Sequence, residues 1–88
     1  MRIVVTRSGG FAGRTVRRII DTSRLPSAGQ HKIENLVAAA RKQPPPRDPT
    51  PDSFQYEIEI DGEHYDVSDS AGAWRILIEV LMTVDYKQ

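Results

Sequence analysis

Eighty-eight residues with twelve Lys/Arg against twelve Asp/Glu and no cysteine make one domain held by packing alone. Such a chain buries only about 60–65% of the surface its unfolded form exposes, which leaves one modest core and little room for a deep catalytic cleft. The absence of cysteine excludes disulfides, thiolate metal sites and a cysteine nucleophile, and no apolar run approaches the ~20 residues of a membrane span.

The charge is unevenly spread. Residues 1–50 carry ten Lys/Arg against three acids, and residues 51–88 carry nine acids against two bases, so the halves are formally +7 and −7. That asymmetry could steer a charged partner, or simply let the halves attract each other across one sheet. The start, Met1 to Arg7, alternates as a strand and lacks the layout of a secretory signal, and with the missing cysteines this points to the cytoplasm.

In chain order, Arg2 to Arg7 reads as a strand with Ile3 and Val5 on one face and Val4 and Thr6 on the other. Ser8 to Gly13 reads as a loop, since three glycines in five residues admit left-handed backbone and close approach. Arg14 to Asp21, with β-branched Val16, Ile19 and Ile20, reads as a second strand. A helix follows: Leu25-Pro26 lead in, Ser27 and Gln30 have capping-box spacing, and Ile33, Leu36, Val37 and Ala40 form an apolar stripe. Arg41 and Lys42 suit its C-terminal dipole. Five prolines between Pro44 and Pro51 make a stiff extended connector, which either bridges two elements or offers a polyproline ligand.

The clearest signal is a hairpin. Phe54, Tyr56, Ile58 and Ile60 alternate with Gln55, Glu57 and Glu59, and Asp61-Gly62 supplies a two-residue turn. That register sets Ile58 against Tyr65 and Tyr56 against Val67 on an apolar face, with Glu57, Glu59, His64 and Asp66 on a wet one. A second helix from Asp69 or Ser70 presents Trp74, Leu77, Ile78, Leu81 and Met82, with Gly72 in its first turn. The order ββαββα is thus expected to give a two-layer α+β domain over residues 1–88: a four-stranded, mainly antiparallel sheet with both helices on one face. If the first helix climbs alongside a strand, the Pro-rich connector and the Gly-rich loop share one end of the sheet, opposite Asp61-Gly62.

Catalytic patterns are thin. His31 and His64 have no metal-ligand spacing, although His64 shares its face with Glu57, Glu59 and Asp66 and could help hold a metal; an exposed imidazole on a solvated face is the simpler reading. Gly9 to Gly13 lacks the Lys-Ser/Thr of a phosphate loop and leads into a strand. No enzyme and no cofactor is implied. Arg14, Arg17, Arg18 and Arg24 could form a nucleic-acid-binding stripe on the second strand, but no stacking aromatics interleave with them, and the acidic hairpin would repel phosphate.

Thr6-Arg7-Ser8-Gly9-Gly10-Phe11-Ala12-Gly13 after an opening strand resembles the start of emfourin, a proteinaceous inhibitor of thermolysin-like metallopeptidases. The Leu25-Pro26 entry to a helix ending Leu36-Val37-Ala38-Ala39-Ala40, the Asp52-Ser53-Phe54-Gln55-Tyr56 entry to the third strand, and the closing amphipathic helix fit the same pattern. The resemblance spans nearly the whole chain, and its most specific part is the Gly-Gly-Phe-Ala-Gly loop. It implies a monomeric inhibitor whose partner is a thermolysin-like metalloprotease, with no membrane, nucleic acid or metal of its own. Ser8, Gly9, Gly10, Phe11, Ala12 and Gly13 would enter the cleft, Phe11 filling the apolar pocket beyond the scissile bond. Arg7 and Arg14, which flank that loop, and Pro45, Pro46 and Arg47, within a connector spanning residues 43–53, would make secondary contacts. Alternatively Phe11 folds back to cap the core, and Arg7 and Arg14 only solvate strand ends. The rival class is a non-enzymatic protein- or nucleic-acid-binding module that uses the arginine-rich second strand.

Overall fold

A computed structural model describes residues 1–9, 15–45, 54–68 and 72–84. Strands β1 (Arg2–Gly9), β2 (Val16–Asp21), β3 (Phe54–Ile60) and β4 (Glu63–Ser68) form one sheet in the order β2-β1-β3-β4, and every neighbouring pair is antiparallel. Helices α1 (Ser27–Arg41) and α2 (Ala73–Thr83) pack on one face of it. This is the expected two-layer α+β architecture.

The alternation of each strand decides which face is dry. Ile3, Val5, Ile20, Tyr56, Ile58, Ile60 and Val67 point to the helices and are buried with Ile33, Val37 and Ala40 of α1 and Trp74, Leu77, Ile78 and Leu81 of α2. The opposite face is open and carries Arg17, Thr6, Glu57 and Asp66 in one row and Ile19, Val4, Glu59 and His64 in the next. The β3–β4 hairpin has the expected register, Ile58 opposite Tyr65 and Tyr56 opposite Val67. At its turn Asp61 (φ 47°) and Gly62 (φ 90°) are both left-handed, the backbone a two-residue turn needs to match the twist of its strands.

The helices do not run alongside the strands. Just before α1, Thr22 donates its amide to the Met1 carbonyl (2.9 Å), and a 3-10 turn over Thr22–Arg24 packs against the helix. At its far end Arg41 meets Glu63 of β4 (3.2 Å), and the Gln43 carbonyl accepts the Trp74 indole N–H (3.1 Å). So α1 crosses the sheet from the β2 side to the β4 side. Trp74, its ring centre 4.9 Å from that of Tyr65 of β4 in a tilted pair, starts α2 on its way back. Arg18 of β2 receives the other end, donating from Nη1 to the Leu81 carbonyl (2.6 Å) and from Nη2 to the Val84 carbonyl (2.7 Å). Leu81 lies in the last turn of α2 and Val84 is its C-cap residue, where intrahelical partners run out.

This geometry corrects three local expectations. Ser27 is the first residue of α1 and not its cap: Pro26 occupies the cap position and no side chain bonds there. Gln30 reaches forward to Glu34 (3.2 Å) instead of back, and the cap chemistry sits upstream, where Asp21 accepts the Ser23 amide and hydroxyl (3.0 and 2.7 Å). Gly72 precedes α2 as its cap residue, with φ 101° and ψ −167°, a region essentially confined to glycine, so it does not lie in the first turn. Asp69 and Ser70, proposed as the start of that helix, lie outside the described residues. Finally, because α1 crosses the strands, the connector starts at the β4 edge beside Trp74, and Phe54, which follows it, pairs with Gly9.

Candidate functional site

The Gly9 end of the sheet gathers the described part of the Gly-rich motif and its flank. Arg7, Ser8 and Gly9 finish β1, and the ladder sets Arg7 opposite Tyr56, Ser8 opposite Gln55 and Gly9 opposite Phe54. Gly9 has φ 90°, so the chain leaves the strand through left-handed backbone that a side chain would strain. Gln55 in turn faces Ser68, whose hydroxyl donates to the Gln55 side-chain oxygen (3.0 Å). The exits of β1 and β4 and the entry to β3 therefore lie side by side.

Arg7 shares the helix-facing side of β1 with Ile3 and Val5, not the open side. Its guanidinium carbon lies 4.7 Å from the centre of the Phe54 ring, and its Nε is buried without an acceptor. Phe54 leans on Tyr56 with ring centres 6.4 Å apart. Pro45, half-buried, follows Gln43, whose carbonyl is held by Trp74. Gly10, Phe11, Ala12, Gly13, Arg14, Pro46 and Arg47 lie outside the described residues. The structure thus joins the root of the Gly-rich segment to the exit of the Pro-rich one, with Phe54, which the sequence read only as a strand residue, as the joint.

The second-strand arginines do not make a common basic face. Arg17 sits on the open face in a row with Glu57 and Asp66, while Arg18, one residue on, points to the other side and is engaged by α2. Period-two alternation alone separates them. The open face holds a hollow lined by Val4, Thr6, Arg17, Glu57, Glu59 and His64, away from the helix layer. His64 pairs with Asp66 (2.9 Å), both half exposed, and no group of metal-ligating side chains assembles among the described residues. The carboxyl of Asp21 is held below the ordinary aspartate range by the Ser23 hydroxyl and then the Ser23 amide, at the far end of β2. Among the described residues no helix is long and apolar enough to cross a membrane.

Comparison with known proteins gives one match. The Emfourin family model covers residues 5–78, from the middle of β1 into α2. No curated protein and no solved structure matches the chain. The family is one of inhibitor domains, which supports a non-enzymatic, protease-inhibiting role with a protease as partner. With most of its length inside that match, the chain belongs to the Emfourin family.

Proposed function

We propose that this domain inhibits thermolysin-like zinc metalloproteases by laying residues 8–13 across the active-site cleft. Phe11 is the anchor, filling the apolar pocket just beyond the position of the scissile bond, and Gly9, Gly10 and Gly13 let the backbone approach closely. Segment 43–53 makes a second contact; proline-rich backbone loses little entropy on binding and is poorly cleaved. Inhibition is steric blockade of the partner's zinc site, and one copy of the chain suffices. A cysteine-free chain of this kind suits the cytoplasm.

The observation that carries this reading is the pairing of Gly9 with Phe54 in a family of inhibitor domains: the roots of the Gly-rich and Pro-rich segments are held side by side by a sheet ladder. A rigid scaffold presenting adjacent loops is the common design of binding surfaces. The test is inhibition of thermolysin by the purified protein, with Phe11→Ala as its partner variant and circular dichroism to check folding. Loss of an aromatic anchor costs at least about 2 kcal/mol, so the inhibition constant should rise by roughly 30-fold or more in a folded variant. Equal inhibition by Phe11→Ala would move the site to segment 43–53. A parent that inhibits neither thermolysin nor a close relative would overturn the proposal.

A further inference from the structure

We propose that Arg7 is a positioning residue of the inhibitory end, acting through Phe54 and not through contact with the protease; this rests on the reading above. Four observations converge on it. Arg7 emerges on the helix-facing side of β1, so its side chain lies under the sheet end and not on the open face. Its guanidinium covers the Phe54 ring at 4.7 Å, the geometry of a cation–π contact. Its Nε is buried and has no acceptor, so the group has given up water there for the ring and the packing around it. And Arg7 stands two residues before Gly9, which pairs with Phe54 itself.

The contact therefore bridges two points far apart in sequence: the last residues before the Gly-rich segment and the first described residue after the Pro-rich one. The β1–β3 ladder ends at Gly9 and Phe54, and terminal ladder pairs fray unless side chains hold them. A planar guanidinium clamped on an aromatic face holds this pair together. Binding then costs less ordering entropy, because the roots of both segments are fixed beforehand. An arginine contacting acidic groups on the protease would act differently. It would raise the association rate, respond steeply to salt, and be indifferent to Phe54.

The experiment is a double-mutant cycle of Arg7→Ala and Phe54→Ala, read in the inhibition constant for thermolysin, with association and dissociation rates at two salt concentrations. Arg7→Lys serves as the conservative variant and urea denaturation as the folding control. Each single change is expected to weaken inhibition about 10-fold through faster dissociation, and the double variant hardly more, where independent sites would give about 100-fold. Arg7→Lys, which retains a cation over the ring, should recover part of the loss. An additive cycle, or a loss confined to a salt-sensitive association rate, would overturn the proposal. Amide hydrogen exchange of the free protein separates this failure from failure of the inhibitor reading. Arg7→Ala should speed exchange at Ser8, Gly9 and Gln55 while Val5 and Ile58 stay protected, whether or not the parent inhibits any protease. Unchanged exchange at those three amides would sink the positioning role.

Discussion

At the Asp61–Gly62 end of the sheet the backbone closes on itself, whereas at the Gly9 end the same strands stop beside residues that glycine backbone and one arginine hold in place. The closed end is dense with reciprocal bonds. Arg2 donates its amide to the Asp61 carboxylate (2.9 Å) and accepts the Asp61 amide (3.0 Å), and the buried Thr22 reaches the Met1 carbonyl through both amide and hydroxyl. The Gly9 end instead has φ 90° at Gly9 and a guanidinium Nε without an acceptor. The closed end thus satisfies its polar groups within the fold, and the end proposed to meet a partner keeps a buried guanidinium nitrogen without an acceptor. That division is expected of a binding domain, because groups fully satisfied within the fold have little left to give a partner.

Three substitutions test the division, beside those at Phe11 and Arg7. The largest effect is expected from Trp74→Ala. Trp74 is almost fully buried, packs its ring against Tyr65 and holds the Gln43 carbonyl, so its loss should cost about 3–5 kcal/mol, a large part of the stability of a domain this size. Urea denaturation should show it largely unfolded or close to its midpoint in buffer. Arg18→Met comes next. It removes both bonds to the α2 carbonyls while keeping an apolar stem, which should cost about 2 kcal/mol and lower Tm by about 10 °C in calorimetry. The folded fraction should still inhibit like the parent; a weakened inhibition constant would mean that the two ends are not separable in this way. The smallest effect belongs to Asp21→Ala, at the closed end. The Asp21 carboxyl has its pKa lowered by Ser23, so its contribution is complete at neutral pH and disappears as pH falls through the folded value. The variant should melt slightly below the parent at pH 7, and the gap should close in acid while inhibition is unaffected.

Much of this architecture was legible because it depends on local alternation. The β3–β4 register followed from Phe54 to Ile60 and the Asp61-Gly62 turn without reference to anything distant, and the apolar stripes of both helices marked their buried faces. What escaped was chemistry between residues remote in sequence. Arg18 looked like one member of a basic strand, and nothing nearby in sequence marks the α2 carbonyls sixty residues on as its partners. The Ser27–Gln30 spacing imitated a capping box, yet Asp21-Thr22-Ser23 upstream carried the real turn, a signature of aspartate accepting from the residue two ahead. The direction of α1 was misjudged because its length matches a strand as well as it matches the width of the sheet. Only Arg41–Glu63 and Trp74–Gln43 decide between them. At the candidate site the motif singled out Ser8 and Gly9, but nothing near them in sequence marks Phe54 as the residue that faces Gly9.

The crossing helices have a consequence for how the domain comes apart. Each helix is tied towards both edges of the sheet: α1 from the turn that follows β2 to Glu63 of β4, α2 from Tyr65 of β4 to Arg18 of β2. An edge strand of an open sheet ordinarily can peel away at little cost to the rest, since it is paired on one side only. Here neither β2 nor β4 can leave without unmooring both helices, and neither helix can lift without freeing both edges. The sheet and its cover are therefore expected to melt as a single cooperative unit, with the two outermost strands as well protected as the two in the middle.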